Sequence, residues 1–259
     1  MNILTVEPQS PPRPTPEEKD KIAYLRSYLL MRAVIGFIGI ILPVVLLLGD
    51  IFVLKGDVLP RGSLSAYYHS GMRDFFVGSL CVTGLFLITY RVFERITDNL
   101  LSVIAGIAAL GVAMFPTGRP AGNGILMTPL QEKLGEQTVA GIHFACAAIF
   151  IVSLAITSYS FGVREGNRPR IRNGQPAKGS PEFWRRFHWS CAAIIVLALI
   201  FIVVTMLTDW LRDYSLIIGE AVAVFAFGAS WLTKGLELDF FRQPPPADLP
   251  ALAEEAAAS

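Results

Sequence analysis

Apolar residues of this chain gather into long, uninterrupted blocks that are separated by short polar segments. A helix needs about 20 mostly apolar residues to cross the roughly 30 Å hydrocarbon core of a bilayer, and six blocks come close to that length. They are Leu29–Leu54, Phe75–Phe93, Leu100–Phe115, Val139–Phe161, Trp189–Leu207 and Tyr214–Leu232. The blocks are continuously apolar rather than alternating, which favours helices over a β-barrel. The pattern therefore predicts an all-α, polytopic membrane protein built as a bundle of six transmembrane helices.

The composition agrees with this prediction. Of the 259 residues, 53% are hydrophobic and only 17% are charged, whereas an ordinary soluble domain has about 25% charged residues. The net charge of +1 gives no support to binding of nucleic acid. A soluble enzyme and a disordered chain are both excluded, and the expected partners are membrane lipids and a lipid or small-molecule ligand.

Polar segments flank the predicted transmembrane domain, which covers residues 27–235. Residues 1–26 are polar and rich in proline, without the short basic and apolar regions of a secretory signal, so we expect the first block to be an uncleaved span. Thr15 is placed to cap a short surface helix over Pro16–Tyr28. Residues 236–259 are expected to form a disordered cytoplasmic tail.

Basic residues are unevenly divided between the two sides of the predicted bundle. With the N-terminus inside, 15 Lys and Arg residues fall on inner segments and 6 on outer segments. Arg32 lies inside the first span near its inner end and is expected to snorkel toward water. The positive-inside rule therefore places both termini in the cytoplasm, and we expect a multi-pass protein of the bacterial cytoplasmic (inner) membrane.

Candidate functional residues cluster in the polar loop Leu59–Asp74, which runs straight into the second span. A His, an Arg and an Asp within six residues can bind an anion, hold a metal or pass protons. The candidates in this loop are Ser65, Tyr68, His69, Arg73 and Asp74. A structural role is equally open, in which Ser65 or Ser70 caps the second helix and Arg73 pairs with Asp74.

Other polar residues lie at the same, outer ends of the predicted spans. They are Asp50, Thr117, Arg119, His143 and Glu220. An ionisable side chain inside a membrane span is costly unless it is paired or hydrated, so such residues are candidates for function. Glu220 could instead pair with Arg73 or His143 for purely structural reasons. We expect these groups to share one outward-facing polar pocket, whereas His188, at the inner side, is expected to be an interfacial anchor.

Four segments resemble a family of bacterial six-helix integral membrane proteins of uncharacterised activity. They are Ser63–Tyr90, the Met114–Thr117 exit, the Ile142–Phe144 entry and Gly219–Gly235. The resemblance covers most of the chain, from about Tyr28 to Gly235, and implies the six-span layout without implying an activity.

A second and weaker resemblance is to the alkaline ceramidase-like membrane hydrolases, which bind zinc inside a seven-helix bundle. Ser65, His69 and Asp74 are similar to the first part of that family's pattern, although the spacing from His to Asp is shorter here. The late His pair and the seventh span of that family have no counterpart in this sequence.

Three functions follow as hypotheses, and the sequence leaves open whether the protein is an enzyme. The first is a non-enzymatic protein that binds or senses a lipid or small solute in the outer pocket. The second is a zinc-dependent hydrolase at the outer leaflet, with His69, His143 and a carboxylate from Asp74 or Glu220 as ligands. The third is a small-solute or proton-coupled transporter in which Glu220 and His143 titrate. No cofactor other than this possible zinc is expected.

Overall fold

The computed structural model describes residues 15–53, 60–89, 96–120, 124–166, 171–172, 175–176, 181–208, 210–211 and 213–235. Seven α-helices make up most of this part of the chain: α1 Pro16–Leu48, α2 Arg73–Thr89, α3 Ile96–Met114, α4 Pro129–Leu134, α5 Glu136–Gly166, α6 Pro181–Thr208 and α7 Ser215–Gly235. A π-helical turn, Gly49–Val53, continues α1, and a 3₁₀ helix, Ser65–His69, precedes α2. Two short strands, β1 Ile171–Arg172 and β2 Gln175–Pro176, pair antiparallel between α5 and α6. The predicted all-α class is confirmed.

Each predicted apolar block coincides with one long helix, but several boundaries differ. The helix predicted over Pro16–Tyr28 is present and starts at Pro16, but it continues without a break into the first block as α1. Helix α3 begins at Ile96, four residues before its predicted start. The proline-rich residues before Thr15 and the predicted tail 236–259 lie outside the described residues.

Four helical segments of the described chain are long and apolar enough to cross a membrane. They are Ser27–Val53, Glu136–Glu165, Pro181–Thr208 and Ser215–Lys234. The apolar part of α3, Asn99–Met114, is shorter, and α2 has 17 residues. These features are compatible with a multi-pass membrane protein.

The six longer helices of the described chain are arranged in a ring, which we call the helix ring. Its neighbours follow the order α1, α7, α6, α5, α3, α2 and back to α1, and the short helix α4 packs on α5. All neighbouring pairs are closely packed except α1 and α2, whose contact is the sparsest in the ring. Large apolar side chains such as Phe37, Leu85, Ile156 and Leu197 project outward, as expected of surfaces that face lipid.

Glycines allow the closest helix approaches in the ring. A Cβ atom added at Gly39 of α1 would lie 3.0 Å from the Cα atom of Gly228 of α7. A Cβ atom at Gly84 of α2 would lie 2.9 Å from the carbonyl oxygen of Gly106 of α3. Only residues without a side chain fit at these crossings, and both pairs of helices run antiparallel there.

Candidate functional site

A short segment, Arg61–Ser70, lies across one end of the helix ring, and we call it the cap. The cap contains the 3₁₀ helix, and two of its three serines, Ser63 and Ser70, satisfy local backbone groups. Ser63 Oγ accepts a hydrogen bond from the Ala66 amide at 2.9 Å. Ser70 Oγ donates to the Tyr67 carbonyl at 2.8 Å and accepts from the Met72 amide at 3.0 Å. Ser70 therefore shapes the turn that leads into α2.

The cap is joined to α1 by a buried ion pair. Arg61 Nε lies 2.8 Å from Asp50 Oδ2, and Asp50 is only 3% exposed. The Arg61 guanidinium also lies over the Tyr67 ring, 5.8 Å from its centroid. Burial raises the pKa of the Tyr67 phenol above its ordinary value. Asp50 is thus a structural anchor, and its partner Arg61 was not among the sequence candidates.

Two contacts join the cap to the start of α7. The Ile217 amide donates to the Gly62 carbonyl at 3.0 Å, and the Leu64 amide donates to Glu220 Oε2 at 2.6 Å. The Glu220 carboxylate therefore satisfies a free amide at the start of the 3₁₀ helix, as an N-terminal capping side chain does. The structural alternative in which Glu220 pairs with Arg73 or His143 is wrong in its partner, because the carboxylate bonds a backbone amide.

The third junction is with the segment that connects α3 to α4. His69 Nε2 donates to the Thr117 carbonyl at 2.8 Å, and Gln131 Nε2 donates to the same oxygen at 3.1 Å. His143, which is completely buried, donates from Nδ1 to the Phe115 carbonyl at 2.6 Å. Each histidine thus donates a hydrogen bond from one ring nitrogen to a backbone carbonyl oxygen. These two bonds fix the position of the chain where it leaves α3.

The remaining charged candidates lie at the edge of the cap. Arg73 and Asp74 are both exposed, and the Arg73 guanidinium bonds the Tyr68 hydroxyl at 2.8 Å and lies 4.5 Å from the centre of its ring. Arg119 forms an ion pair at 3.0 Å with Glu136, which the sequence reasoning missed. These contacts are structural pairs at the surface.

The proposed metal ligands are not brought together. Within the part of the chain that the structure describes, no three His, Cys, Asp or Glu side chains form a group that could hold a metal ion. His69, Asp74, His143 and Glu220 are therefore wrong as a ligand set, because two of them bond carbonyls of the α3 exit, one is exposed and one bonds the cap. A zinc hydrolase built on these residues does not fit this geometry.

An apolar cavity lies inside the helix ring, beneath the cap. Its volume is about 60 Å³, which is smaller than that of the usual small-molecule pocket, and it opens into a wider mouth. The wall is formed mainly by aliphatic and aromatic side chains of α1, α2, α5 and α7, among them Leu42, Phe76, Phe150 and Phe227. The polar residues of the wall are Ser65, Ser79, Thr83 and Glu220. The cavity is therefore suited to an apolar molecule with a small polar part.

Only two of the ten sequence candidates line this cavity, namely Ser65 and Glu220. The other eight form the cap and its junctions or lie at its edge: Asp50, Tyr68, His69, Arg73, Asp74, Thr117, Arg119 and His143. The polar groups do gather at one end of the ring, but they bond one another and the backbone. The space they close is a mostly apolar interior and differs from the polar outward pocket that the sequence suggested.

A second group of buried polar residues lies at the opposite end of the ring. Glu165 of α5 and Lys234 of α7 form a buried ion pair, and His188 of α6 bonds Ser230 Oγ at 2.9 Å. His188 is 1% exposed and Arg32 is 6% exposed, with its guanidinium 5.1 Å from the centre of the Phe161 ring. The expectations that His188 is an interfacial anchor and that Arg32 snorkels are wrong, and buried charged groups lie at both ends of the ring.

Comparison of the chain with models of protein families, with curated proteins and with solved structures finds no match.

Proposed function

We propose that this chain is a six-span protein of the bacterial inner membrane that binds an apolar or amphipathic membrane-soluble molecule in the cavity beneath the cap. The proposal rests above all on one observation, an apolar cavity of about 60 Å³ that opens into a wider mouth and has Glu220 at its cap side. A non-enzymatic binding role needs no catalytic set, and the candidate groups of the cap are already engaged in structural contacts.

The six-span layout is supported by the helix ring. Helices α2 and α3 are flanked in that ring by α1 and α5, both of which are long and apolar enough to cross a membrane. A helix enclosed between such neighbours shares their surroundings, and slight thinning of the bilayer accommodates a short span. Cytoplasmic termini, with the cap on the outer side, follow from the distribution of basic residues. The resemblance to bacterial six-helix membrane proteins also belongs to this proposal, because it implies the six-span layout.

The chemistry of the wall indicates which molecules the cavity would hold. Aliphatic and aromatic walls favour a hydrocarbon chain through burial and dispersion. The polar end of such a ligand would contact Glu220 and Ser65. Glu220 already accepts a hydrogen bond from the Leu64 amide there. A carboxylate there favours a ligand end that donates a hydrogen bond and repels an anionic end. The expected ligand class is therefore a single-chain amphiphile with a hydroxyl or amine end.

The test is to purify the chain in a mild detergent and identify co-purified small molecules by mass spectrometry of an organic extract. Val224→Phe places an aromatic ring in the cavity, whereas Val222→Phe alters an exposed position two residues away on α7. We expect a stoichiometric amphiphile in the wild type and in Val222→Phe, and its loss from folded Val224→Phe. Equal recovery from all three proteins, or none from the wild type, would contradict the proposal.

A further inference from the structure

We propose that the cavity exchanges its occupant sideways with the bilayer, through the contact between α1 and α2, which we call the seam. This inference rests on the proposed function and adds to it the source of the ligand, which is the hydrocarbon interior of the membrane. The occupant is accordingly an aliphatic chain that is already dissolved in the bilayer, and no aqueous entrance is required.

The seam is the most loosely packed contact between neighbouring helices of the helix ring. Helix α1 packs closely on α7, and α2 packs closely on α3, in both cases through glycine crossings. Between α1 and α2 the described residues make far fewer contacts. Because α1 packs tightly on α7 and α2 packs tightly on α3, α1 and α2 can separate at the seam without loss of those two contacts.

The cavity wall is continuous with the seam. Ile38 and Leu42 of α1 and Ser79 and Thr83 of α2 all line the cavity. Ile38 and Ser79 are half-buried, whereas Leu42 and Thr83 are buried. The partly exposed members of the wall therefore include one residue on each side of the seam. A chain sliding between these two residues would pass from lipid directly into the cavity.

The two ends of the ring are closed by contacts between the described residues. At one end the cap is joined to α1 through Asp50, to α7 through Glu220 and to the α3 exit through Thr117. At the opposite end the rings of Phe161 and Trp231 pack together, 5.1 Å apart and almost completely buried. Passage through either end would break several buried polar contacts or displace a packed aromatic core, and the seam requires neither.

The experiment measures how fast a probe fills the cavity. The protein is placed in lipid nanodiscs after its three cysteines, Cys81, Cys146 and Cys191, have been changed to alanine. Cysteines at Ile38 and Ser79 are then joined with a bis-maleimide to hold the seam closed. The control joins cysteines at Tyr159 and Trp189, whose rings stack 5.7 Å apart across α5 and α6. Hexadecanol carrying a diazirine and an alkyne is added, and samples are flashed at increasing times and analysed by peptide mass spectrometry.

We expect closure of the seam to slow labelling of the cavity peptides by about tenfold or more, equivalent to a barrier higher by about 1.4 kcal/mol. The α5–α6 link should leave the rate unchanged. Ser79→Trp, which needs no cross-link, should slow labelling, and the outward-facing control Val82→Trp should not. Filling at an unchanged rate in both seam variants would overturn lateral entry alone. Absence of saturable cavity labelling in the wild type would overturn the proposed function and this inference together.

Discussion

At the residue scale, Glu220 has two tasks that belong to different parts of the molecule. Its carboxylate accepts the Leu64 amide of the cap, and the same side chain forms part of the cavity wall. A carboxylate held by a backbone amide is well oriented, because the hydrogen bond removes its rotational freedom. The sequence identified Glu220 as an unusual residue at membrane depth, but it gave no means of finding the partner.

Replacement of Glu220 separates the two tasks. In Glu220→Ala the cap amide loses its acceptor, and leaving a buried donor unsatisfied costs about 1–3 kcal/mol of unfolding free energy. Glu220→Gln keeps an acceptor oxygen and should cost less. Thermal unfolding in a mild detergent measures both changes, and equal stability of the alanine and glutamine variants would contradict the capping role of this side chain.

Replacement of the Glu220 carboxyl group should also change which amphiphiles bind. Dodecanol and dodecylamine should raise the melting temperature of the wild type, and dodecanoate should not, because its own carboxylate faces that of Glu220. In Glu220→Gln the discrimination against dodecanoate should weaken. A wild type that is stabilised best by dodecanoate would show that the polar end of the ligand does not meet Glu220.

The buried ion pair at the opposite end offers a second test at this scale. Removing one member of such a pair leaves the other charge buried, and the cost is about 3–5 kcal/mol. Lys234→Met should therefore destabilise the protein strongly, whereas the double variant Glu165→Gln, Lys234→Met should recover much of the loss. Unfolding free energies of the single and double variants form a cycle. If the double variant were as unstable as the sum of the singles, the two residues would not be coupled.

Residue-level expectations failed mainly where the partner was a backbone group or a distant side chain. Charge and spacing identify His69, His143 and Glu220 as candidates, but the sequence does not reveal their partners. The histidines donate to the carbonyl groups of Thr117 and Phe115, and Glu220 accepts from the Leu64 amide. Glu165 and Lys234 were overlooked because each stands at the end of a span, where a charge is unremarkable. The apolar wall of the cavity has no sequence signal, since its members look like any other residues of an apolar helix.

At the element scale, the helices themselves were largely predictable. Continuous apolar blocks of near-membrane length identify the long helices, because a backbone in lipid has to satisfy its own hydrogen bonds. The blocks do not reveal where a helix begins outside the apolar stretch, as the start of α3 at Ile96 shows. Nor do they reveal which helices are neighbours, since an apolar stripe is equally suited to a partner helix or to lipid.

At the element scale, substitution of a glycine tests the close crossing of α1 and α7. In Gly228→Ala the added methyl group would lie 2.8 Å from the Ile40 amide nitrogen, and α1 would have to move away from α7. We expect a loss of about 1–3 kcal/mol of unfolding free energy, as for other overpacked sites. The matched control is Gly78→Ala, which meets nothing within 4 Å and should stabilise α2 by about 0.5–1 kcal/mol. Equal behaviour of the two variants in thermal unfolding would contradict the close α1–α7 crossing.

At the scale of the whole molecule, the cap and the ion pair lie at opposite ends of a ring whose outer surface is apolar. We propose that this ring lies across the membrane with the cap outside. A cysteine at Gly118, exposed near the cap, and one at Glu182, exposed at the start of α6, should lie on opposite faces. In a cysteine-free background, a membrane-impermeant maleimide applied to spheroplasts should label the first and not the second. Labelling of both from the same side would contradict the layout.

Binding in the cavity is the central claim, and site-resolved photolabelling tests it most directly. Proteoliposomes are equilibrated with the diazirine-bearing hexadecanol at increasing concentration, irradiated and analysed by peptide mass spectrometry. The account predicts saturable labelling of the cavity walls on α1, α2, α5 and α7. It also predicts that Val224→Phe loses this labelling, while the lipid-facing side of α6 is labelled in proportion to probe concentration in both proteins. Labelling that rises in proportion at every position, or that is unchanged by Val224→Phe, would contradict it.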